Sequence, residues 1–228
     1  MATPAILGDR RQRLLAAAQT LGAPLQGAEA DRLLAYVDLL QRWNRVYNLT
    51  ALRDPAEMLS HHLIDCLAVL PPLRRWWSQH QPGAGRLLDV GSGGGLPGVV
   101  LAALQPDWQV DCVDTVAKKA SFIRQVSAEL RLPNLQGLHA RVEALAPPEG
   151  GYGLITSRAF ASLADFTALT RHLLADGGVW MAMKGKLPAD EQAALPASVE
   201  VFHVEQLQVP GLDAQRCLVW MRPRTGTA

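Results

Sequence analysis

Residues 87–98 have the sequence LLDVGSGGGLPG, in which a short apolar run leads into a glycine-rich turn. Glycine allows the backbone to turn tightly and to approach a ligand closely. Pro97 is suited to the first turn of a helix that follows the glycines. The next apolar run, residues 109–113, ends at Asp114, where a carboxylate can accept hydrogen bonds from ribose hydroxyls. A strand, a glycine turn, a helix and a strand that ends in an acid indicate a nucleotide-type cofactor site in an α/β domain.

The glycine turn does not by itself choose the cofactor. Residues 93–98 also fit the G-x-G-x-x-G pattern of NAD-binding domains, in which a similar downstream acid is expected. Two features favour S-adenosylmethionine. Asp89 stands two residues before the first glycine, where its carboxylate can orient the cationic amino-acid end of that cofactor directly or through water, and the turn lies mid-chain behind a helical region. A glycine turn that holds no ligand is the third possibility.

Strands and helices alternate along the chain from residue 86 onward. The apolar runs predict strands at 86–90, 109–113, 135–139, 154–157 and 178–183, and helices at 97–104, 117–130 and 163–174. Such alternation implies a parallel sheet that helices cover on both faces. Two later strand-like runs, 199–209 and 216–221, predict an antiparallel hairpin at a sheet edge. The predicted fold is α/β, with the Rossmann-like sheet of class I methyltransferases.

The N-terminal part of the chain reads as helices. Apolar residues recur at helical spacing in the stretches 14–21, 33–40 and 59–67. Pro71-Pro72 is expected to end the third helix. A segment that contains Gly and Pro, residues 81–85, then leads into the strands. We therefore expect a helical cap over residues 1–80 and a cofactor-binding domain over residues 81–228, which together form one compact unit.

The composition is that of an ordinary globular protein without bulk charge. The 228 residues include 22 Lys and Arg against 21 Asp and Glu, so any nucleic-acid contact has to come from basic residues that the fold gathers locally. Cys66, Cys112 and Cys217 show no metal-ligand spacing, and no metal site is predicted. No apolar run approaches the roughly 18 residues that cross a membrane, and the N-terminus lacks the pattern of a secretory signal. We expect a cytoplasmic protein without membrane association.

Further motifs follow one another around the glycine turn. They are WNRVYNLT at 43–50, HLID at 62–65, Lys118-Lys119 before Phe122, RVE at 141–143 and SRAF at 157–160. With the glycine turn, they make nearly the whole chain resemble the RsmG family, also called GidB, of bacterial small-subunit ribosomal RNA methyltransferases. Cys66 stands where the family commonly has serine, a departure that changes little.

The resemblance implies a reaction, a cofactor and a partner. The reaction is transfer of the S-adenosylmethionine methyl group to N7 of a guanine in the decoding-region loop of 16S rRNA, either as RNA or in the small ribosomal subunit. By motif match, the implied cofactor-binding residues are Gly91, Leu96, Val142, Glu143 and Arg158. The pattern of the glycine turn and the strand after it adds Gly93 and Asp114 to this set. We expect a monomer.

The chemistry of guanine N7 agrees with this reading. N7 carries a lone pair and no proton, so its methylation needs alignment rather than a general base. Arg158 follows the apolar strand 154–157 and is the candidate catalytic residue, because ligand crevices of open α/β sheets lie at the carboxyl ends of strands. Its partner is the cofactor's carboxylate, a nearby enzyme carboxylate, an RNA phosphate or guanine O6. The alternative is an arginine that forms a salt bridge across the junction of cap and sheet.

Substrate contacts are predicted for Arg45, His62 and Lys184. His62 could equally pack within a helix, and Trp43 and Tyr47 are expected in the core rather than as platforms for bases. A basic surface beside the cofactor site is predicted from Arg45, Lys118, Lys119, Lys184 and Lys186. Two other functions stay open on the sequence, a nucleotide- or RNA-binding module without catalysis and an NAD(P)-linked oxidoreductase.

Overall fold

A computed structural model describes residues 4–80, 85–186 and 189–224, with side chains from residue 8 onward. Most of the linker predicted at 81–85 lies outside these ranges. The chain folds around a mixed sheet of seven strands with helices on both faces, so the predicted α/β class is confirmed. The strands are β1 Arg86–Val90, β2 Gln109–Asp114, β3 Leu135–His139, β4 Tyr152–Arg158, β5 Leu174–Lys184, β6 Val199–Leu207 and β7 Arg216–Pro223.

The strand order places the two last strands at one side of a parallel sheet. The order is β3-β2-β1-β4-β5-β7-β6, in which the first five strands run parallel to one another. β7 is antiparallel to β5 and to β6, which confirms the predicted edge hairpin. Because β7 runs in the opposite direction, its first residues lie beside the last residues of β5, and Lys184 is in register with Cys217.

Helices precede, cross and cover the sheet. They are α1 Pro4–Thr20, α2 Gly27–Tyr47, α3 Pro55–Met58, α4 Asp65–Leu67, α5 Leu70–His80, α6 Gly98–Leu104, α7 Ala117–Glu129, α8 Leu163–Thr170 and α9 Ala189–Ala193. A capping box holds the start of α2, where the Glu29 carboxylate accepts the N–H of Gln26 at 2.7 Å. A π-helical turn, Leu59–Ile64, joins α3 to α4.

Two boundaries differ from the sequence prediction. Pro71 and Pro72 do not end the preceding helix, which stops at Leu67. They lie in the first turn of α5, where the missing proline N–H breaks no helical hydrogen bond. β5 begins at Leu174, within the segment predicted to continue a helix, because α8 ends at Thr170 and a single 3₁₀ turn follows.

The helices before β1 share one hydrophobic core with one face of the sheet. Leu33 of α2 and Leu63 of the π-helical turn belong to the same buried cluster as Leu101 and Val110. α5 packs on the rest of the core through two tryptophans. Trp76 lies 5.6 Å from Trp220 and Trp77 lies 4.1 Å from Trp108, measured between ring centroids. These contacts hold the cap against one face of the sheet.

Candidate active site

Two adjoining clefts open at the edge of the sheet where the parallel strands end. The larger cleft has a volume of about 470 Å³ and the smaller cleft about 250 Å³, and the two share Gly91 and Ala159. The larger cleft is lined from the cap by residues 40, 49–50, 61–62 and 65, from the glycine turn by 91–94 and 96, and from strand ends by 158–159, 183–185 and 216. The smaller cleft is lined by 90–91, 113–116, 119, 140, 142–143 and 159–160.

The glycine turn forms the wall between the two clefts. Gly91 has φ +65°, a conformation that side chains rarely adopt, and a Cβ atom there would lie 2.6 Å from Cδ2 of Phe160. The turn is held from the cap by the buried Tyr36, whose hydroxyl donates to the Gly94 carbonyl at 2.6 Å. Backbone rather than side chains therefore faces the space that a ligand would enter.

Asp89 lies beneath this turn and does not line either cleft. Its Oδ2 atom accepts the N–H of Gly98 at 2.8 Å, and a Cβ atom on Gly98 would lie only 2.3 Å from Sγ of Cys112. Burial raises the pKa of Asp89 to about 7, against the opposing effect of the Gly98 hydrogen bond. Oδ1 of Asp89 and Oγ of Ser92 are buried without a partner among the described residues. Buried acceptors of this kind are normally satisfied, and Ser92 does line the larger cleft.

Asp114 joins the glycine turn to the end of β2. Its carboxylate accepts the N–H of Gly93 at 3.1 Å and the N–H of Val116 at 2.9 Å, and it pairs with Lys119 at 3.4 Å. Hydrogen bonds from backbone N–H groups fix the carboxylate at the mouth of the smaller cleft. Asp114 also lines the smaller cleft, where its contact to a ribose stays a prediction.

Val142 and Glu143 lie on the opposite wall of the smaller cleft. Val142 is buried, while Glu143 is exposed and accepts a hydrogen bond from Arg141 at 2.7 Å. Hydrogen bonds from its own backbone N–H and from Arg141 lower the pKa of Glu143, so its carboxylate is ionised at neutral pH. The smaller cleft thus combines an apolar wall with two carboxylates, Asp114 and Glu143.

Arg158 connects the sheet to the cap at the floor of the larger cleft. Its Nη1 donates to the His61 carbonyl at 3.1 Å and to Asp65 Oδ2 at 3.3 Å. The other oxygen of Asp65 accepts from Nε of Arg216 at 2.8 Å, and only 3% of the Asp65 side chain is exposed. Arg158 therefore forms the salt bridge between cap and sheet that was the alternative prediction, and it also lines the cleft.

His62 is buried against Arg158 and Thr50 in the same cleft. Its Nε2 lies 2.8 Å from Thr50 Oγ1, and Nη2 of Arg158 lies 3.3 Å from Nδ1. Burial and the positive charge of Arg158 lower the pKa of His62 to about 4. The imidazole is therefore neutral at pH 7. Its Nδ1 also lies 3.3 Å from the His61 carbonyl, so both ring nitrogens have partners within the protein.

All but one of the predicted site residues line one of the two clefts. Gly91, Gly93, Leu96, His62, Arg158 and Lys184 line the larger cleft, and Gly91, Asp114, Val142 and Glu143 line the smaller one. Nζ of Lys184 is held by Glu191 at 2.8 Å and by the Ala161 carbonyl at 3.0 Å. Arg45 is exposed and lines neither cleft.

Sequence reasoning missed Asp65 and Arg216 as site residues. Asp65 is the last residue of the quoted HLID motif, which was the available signal for it. Arg216 has no local motif, and only the antiparallel insertion of β7 beside β5 brings it to the cleft. Within the described ranges there is no cluster of His, Cys, Asp or Glu suited to a metal, and no helix long and apolar enough to cross a membrane.

Comparison with known sequences gives one family. The sequence profile of the family described as "rRNA small subunit methyltransferase G" matches residues 29–219. "Ribosomal RNA small subunit methyltransferase G" of Leptothrix cholodnii is 66% identical over 215 residues, which cover 94% of this chain and 96% of the relative. The protein of the same name from Acidovorax sp. strain JS42 is 61% identical over 212 residues, with 90% and 92% covered.

Comparison with solved structures gives the same fold at low sequence identity. An S-adenosylmethionine-dependent methyltransferase of Leishmania major superposes with a TM-score of 0.57 at 15% identity, over 82% of each chain. TrmN from Thermus thermophilus superposes with a TM-score of 0.53 at 18% identity, over 73% of this chain and 53% of its own. These likenesses concern the arrangement of the sheet and helices alone.

Proposed function

Because the chain belongs to the rRNA small subunit methyltransferase G family, we propose that it transfers the methyl group of S-adenosylmethionine to N7 of a guanine in 16S rRNA. It is an S-adenosylmethionine-dependent rRNA methyltransferase with an α/β fold. The observation that carries the N7 proposal is the meeting of two clefts at Gly91, one suited to a nucleoside and one large enough for a base.

The residues of the smaller cleft fit the adenosine part of the cofactor. Asp114 offers carboxylate lone pairs to ribose hydroxyls, and the buried Val142 offers an apolar surface to the adenine ring. Glu143 adds an acceptor at the rim. Gly91, Gly93 and Leu96 then lead from the smaller cleft into the larger one, where Arg158 can bind the carboxylate at the amino-acid end.

The larger cleft suits a reaction that needs alignment and no base. When bound, S-adenosylmethionine supplies an electrophilic methyl on a cationic sulfur, which the N7 lone pair takes as the carbon–sulfur bond breaks and a neutral thioether leaves. Methylation at N7 places a positive charge on the guanine ring. The neutral imidazole of His62 adds no charge beside it, and Asp65 offsets part of the positive charge of Arg158 and Arg216, with which it pairs. Both features reduce the electrostatic repulsion that the methylated base would meet.

Substrate contacts are proposed for residues in the larger cleft and outside it. Lys184 and His62 line the larger cleft, and Arg45 lies exposed at the end of α2, the helix that leads to the Leu49 wall. The exposed Arg45 can bind a phosphate and position the RNA without reading its sequence. We propose that the enzyme acts as a monomer in the cytoplasm, on 16S rRNA or the small subunit.

Two experiments test the proposal. Calorimetry with S-adenosylhomocysteine and NAD separates a methyltransferase from an NAD(P)-linked oxidoreductase, and we expect heat of binding from the former ligand only. Incubation of small-subunit particles with S-adenosylmethionine labelled with tritium in its methyl group, followed by digestion to nucleosides, should place the label in 7-methylguanosine. Label in another nucleoside would refute N7 specificity, and absence of label would favour a binding module without catalysis.

A further inference from the structure

If the chain has the proposed function, on which this inference rests, it must distinguish guanine from adenine before it methylates N7. Guanine and adenine both present N7 as an acceptor, but they differ at position 6, where guanine carries the acceptor O6 and adenine the donor N6–H₂. The usual arginine fork binds N7 and O6 together, which would block the atom that has to be methylated. The enzyme therefore needs a group that only donates hydrogen bonds and that reaches O6 alone.

Most polar groups of the larger cleft cannot serve this purpose. The hydroxyls of Thr50 and Ser92 and the imidazole rings of His61 and His62 can each donate or accept, so they do not separate O6 from N6–H₂. Lys184 can only donate, but its Nζ already binds Glu191 and the Ala161 carbonyl.

The two arginines of the larger cleft differ in how many donors they keep. Arg158 uses Nη1 for the His61 carbonyl and Asp65 and one Nη2 hydrogen for His62, and the proposed function assigns its remaining donors to the cofactor's carboxylate. Arg216 uses Nε for Asp65 and Nη1 for the Gln215 carbonyl. Nη2 of Arg216 makes no hydrogen bond to any described residue, and 23% of this side chain is exposed. Arg216 is thus a donor at the cleft with hydrogens to spare.

The position of Arg216 is fixed by a contact that spans most of the chain. Arg216 is the first residue of β7, and Asp65, 151 residues earlier, is buried in α4. The Asp65 carboxylate holds Arg216 with one oxygen and Arg158 with the other. One buried anion therefore sets the distance and orientation between both guanidinium groups.

We propose that Arg216 is the residue that selects guanine, by donating a hydrogen bond from Nη2 to O6 of the target base. Adenine presents its amino hydrogens to the same guanidinium, so both groups donate and the base is rejected. Asp65 is a positioning residue, which acts through the two arginines and touches neither base nor cofactor. N7 stays free because Arg216 contacts only the neighbouring atom.

The test uses small-subunit particles in which the guanine that accepts the label is replaced by 2-aminopurine. This base keeps N7 and the 2-amino group and lacks O6. We expect wild-type enzyme to favour guanine by at least about tenfold in kcat/KM, because a site built to bind a polar group rejects the analogue without it. Arg216→Ala should lower kcat/KM for guanine much more than kcat/KM for 2-aminopurine, so that the ratio of the two falls toward one.

A merely structural role of Arg216 would lower both rates and keep the ratio. Arg222→Ala is the matched control, because Arg222 lies on the same strand, is exposed and pairs with Glu200, and its ratio should equal that of wild type. If melting shows that Arg216→Ala is unfolded, Arg216→Met decides the matter, since it keeps the length of the side chain and removes every hydrogen-bond donor.

Three results separate the possible failures. A folded variant at position 216 with the wild-type ratio overturns the proposal, and so does a wild-type enzyme that methylates 2-aminopurine as fast as guanine. A wild-type enzyme that forms no 7-methylguanosine refutes the proposed function itself. Asp65→Asn should lower the same ratio in the same direction, and an unchanged ratio would exclude Asp65 as a positioning residue.

Discussion

The smaller and the larger cleft meet at Gly91 but are built in different ways. The smaller cleft takes its walls from residues 90–160, mainly from turns that follow successive strands, and backbone N–H groups fix its key carboxylate, Asp114. The larger cleft needs the cap, the glycine turn and the hairpin together, and charged side chains hold it in place. The difference predicts that changes in backbone shape will mainly impair ligand binding in the smaller cleft, whereas loss of an ion pair will mainly impair the larger one.

The largest expected effect tests the role of backbone shape. Gly91→Val should weaken binding of S-adenosylhomocysteine at least about 100-fold, or roughly 2.7 kcal/mol, because its Cβ would meet Phe160 at 2.6 Å. Gly150→Val is the matched control, since Gly150 also has a positive φ, +78°, but no atom within 4 Å of its Cβ position. Calorimetry should show near wild-type affinity for the control. Equal affinity of folded Gly91→Val would disprove that the turn bounds the cofactor site.

A second substitution removes the side chain that secures the smaller cleft. Asp114→Ala should weaken cofactor binding by roughly 1–3 kcal/mol, since it deprives both the ribose and two backbone N–H groups of their acceptor. Asp114→Asn keeps one acceptor oxygen and should lose less. Titration of both variants with S-adenosylhomocysteine decides the matter, and equal affinity for Asp114→Ala and wild type would make Asp114 a turn residue only.

The larger cleft should respond through rate rather than stability. Arg158→Ala should slow methyl transfer at least about tenfold, equivalent to roughly 1.4 kcal/mol. The melting temperature should change by only a few degrees, because the buried Asp65 still pairs with Arg216. Labelled-methyl assays together with thermal melts test this. Full activity, or loss of the folded state, would show that Arg158 does not serve the reaction.

Acid should affect the larger cleft through His62. Its pKa falls from the ordinary 6.5 to about 4 in the folded protein, so the unfolded chain binds the proton more readily between these values. The stabilisation from neutral His62 is complete above pH 6.5 and declines as the pH falls toward 4. The raised pKa of Asp89 acts in the opposite direction, so the comparison requires a variant.

His62→Gln should remove this acid sensitivity. Between pH 6.5 and pH 5, wild type should lose about 1 kcal/mol more unfolding free energy than the variant does. Denaturant titrations at the two pH values measure the difference. Parallel losses in both proteins would mean that His62 is protonated in the folded state as easily as in the unfolded chain.

The smallest effect concerns the residue outside both clefts. Arg45→Ala should weaken binding to small-subunit particles a few-fold and reduce the slope of log affinity against log salt by about one, if Arg45 neutralises one phosphate. The exposed Arg53 provides a comparison at the far end of the loop that follows α2. An unchanged slope for Arg45→Ala would remove Arg45 from the proposed RNA contacts.

The same contrast explains what the sequence could reveal. The glycine turn, Asp114 and the strands around them are close in sequence, and hydrophobic patterning located each strand within a few residues. The hairpin strands were also recognisable, because 199–209 alternates apolar and polar residues, 217–221 is a continuous apolar run, and a turn-rich segment separates them. A sequence pattern therefore reveals mainly those site residues that lie close together along the chain.

Two residues of the larger cleft, Asp65 and Arg216, were missed because the segments that form this cleft are distant from one another in sequence. Nothing near Asp65 or Arg216 indicates that they meet across 151 residues. The stretch 59–67 reads as ordinary helix, whereas its centre is a π-helical turn in which the neighbours His61 and His62 both line the cleft. Pro71 and Pro72 resemble helix breakers but lie in the first turn of α5, because proline is tolerated in the first turn of a helix and disfavoured only in its interior.

The strand order also determines when the larger cleft can exist during synthesis. β6 leaves the ribosome before β7, yet β7 is the neighbour that joins it to the sheet. A growing chain can form β1 to β5 and the glycine turn while β6 still lacks its partner, because domains fold as their segments emerge. Arg216 arrives with β7 and reaches Asp65 only then. A nascent chain can thus build the cofactor cleft early, while its ability to choose a base comes with the last strand.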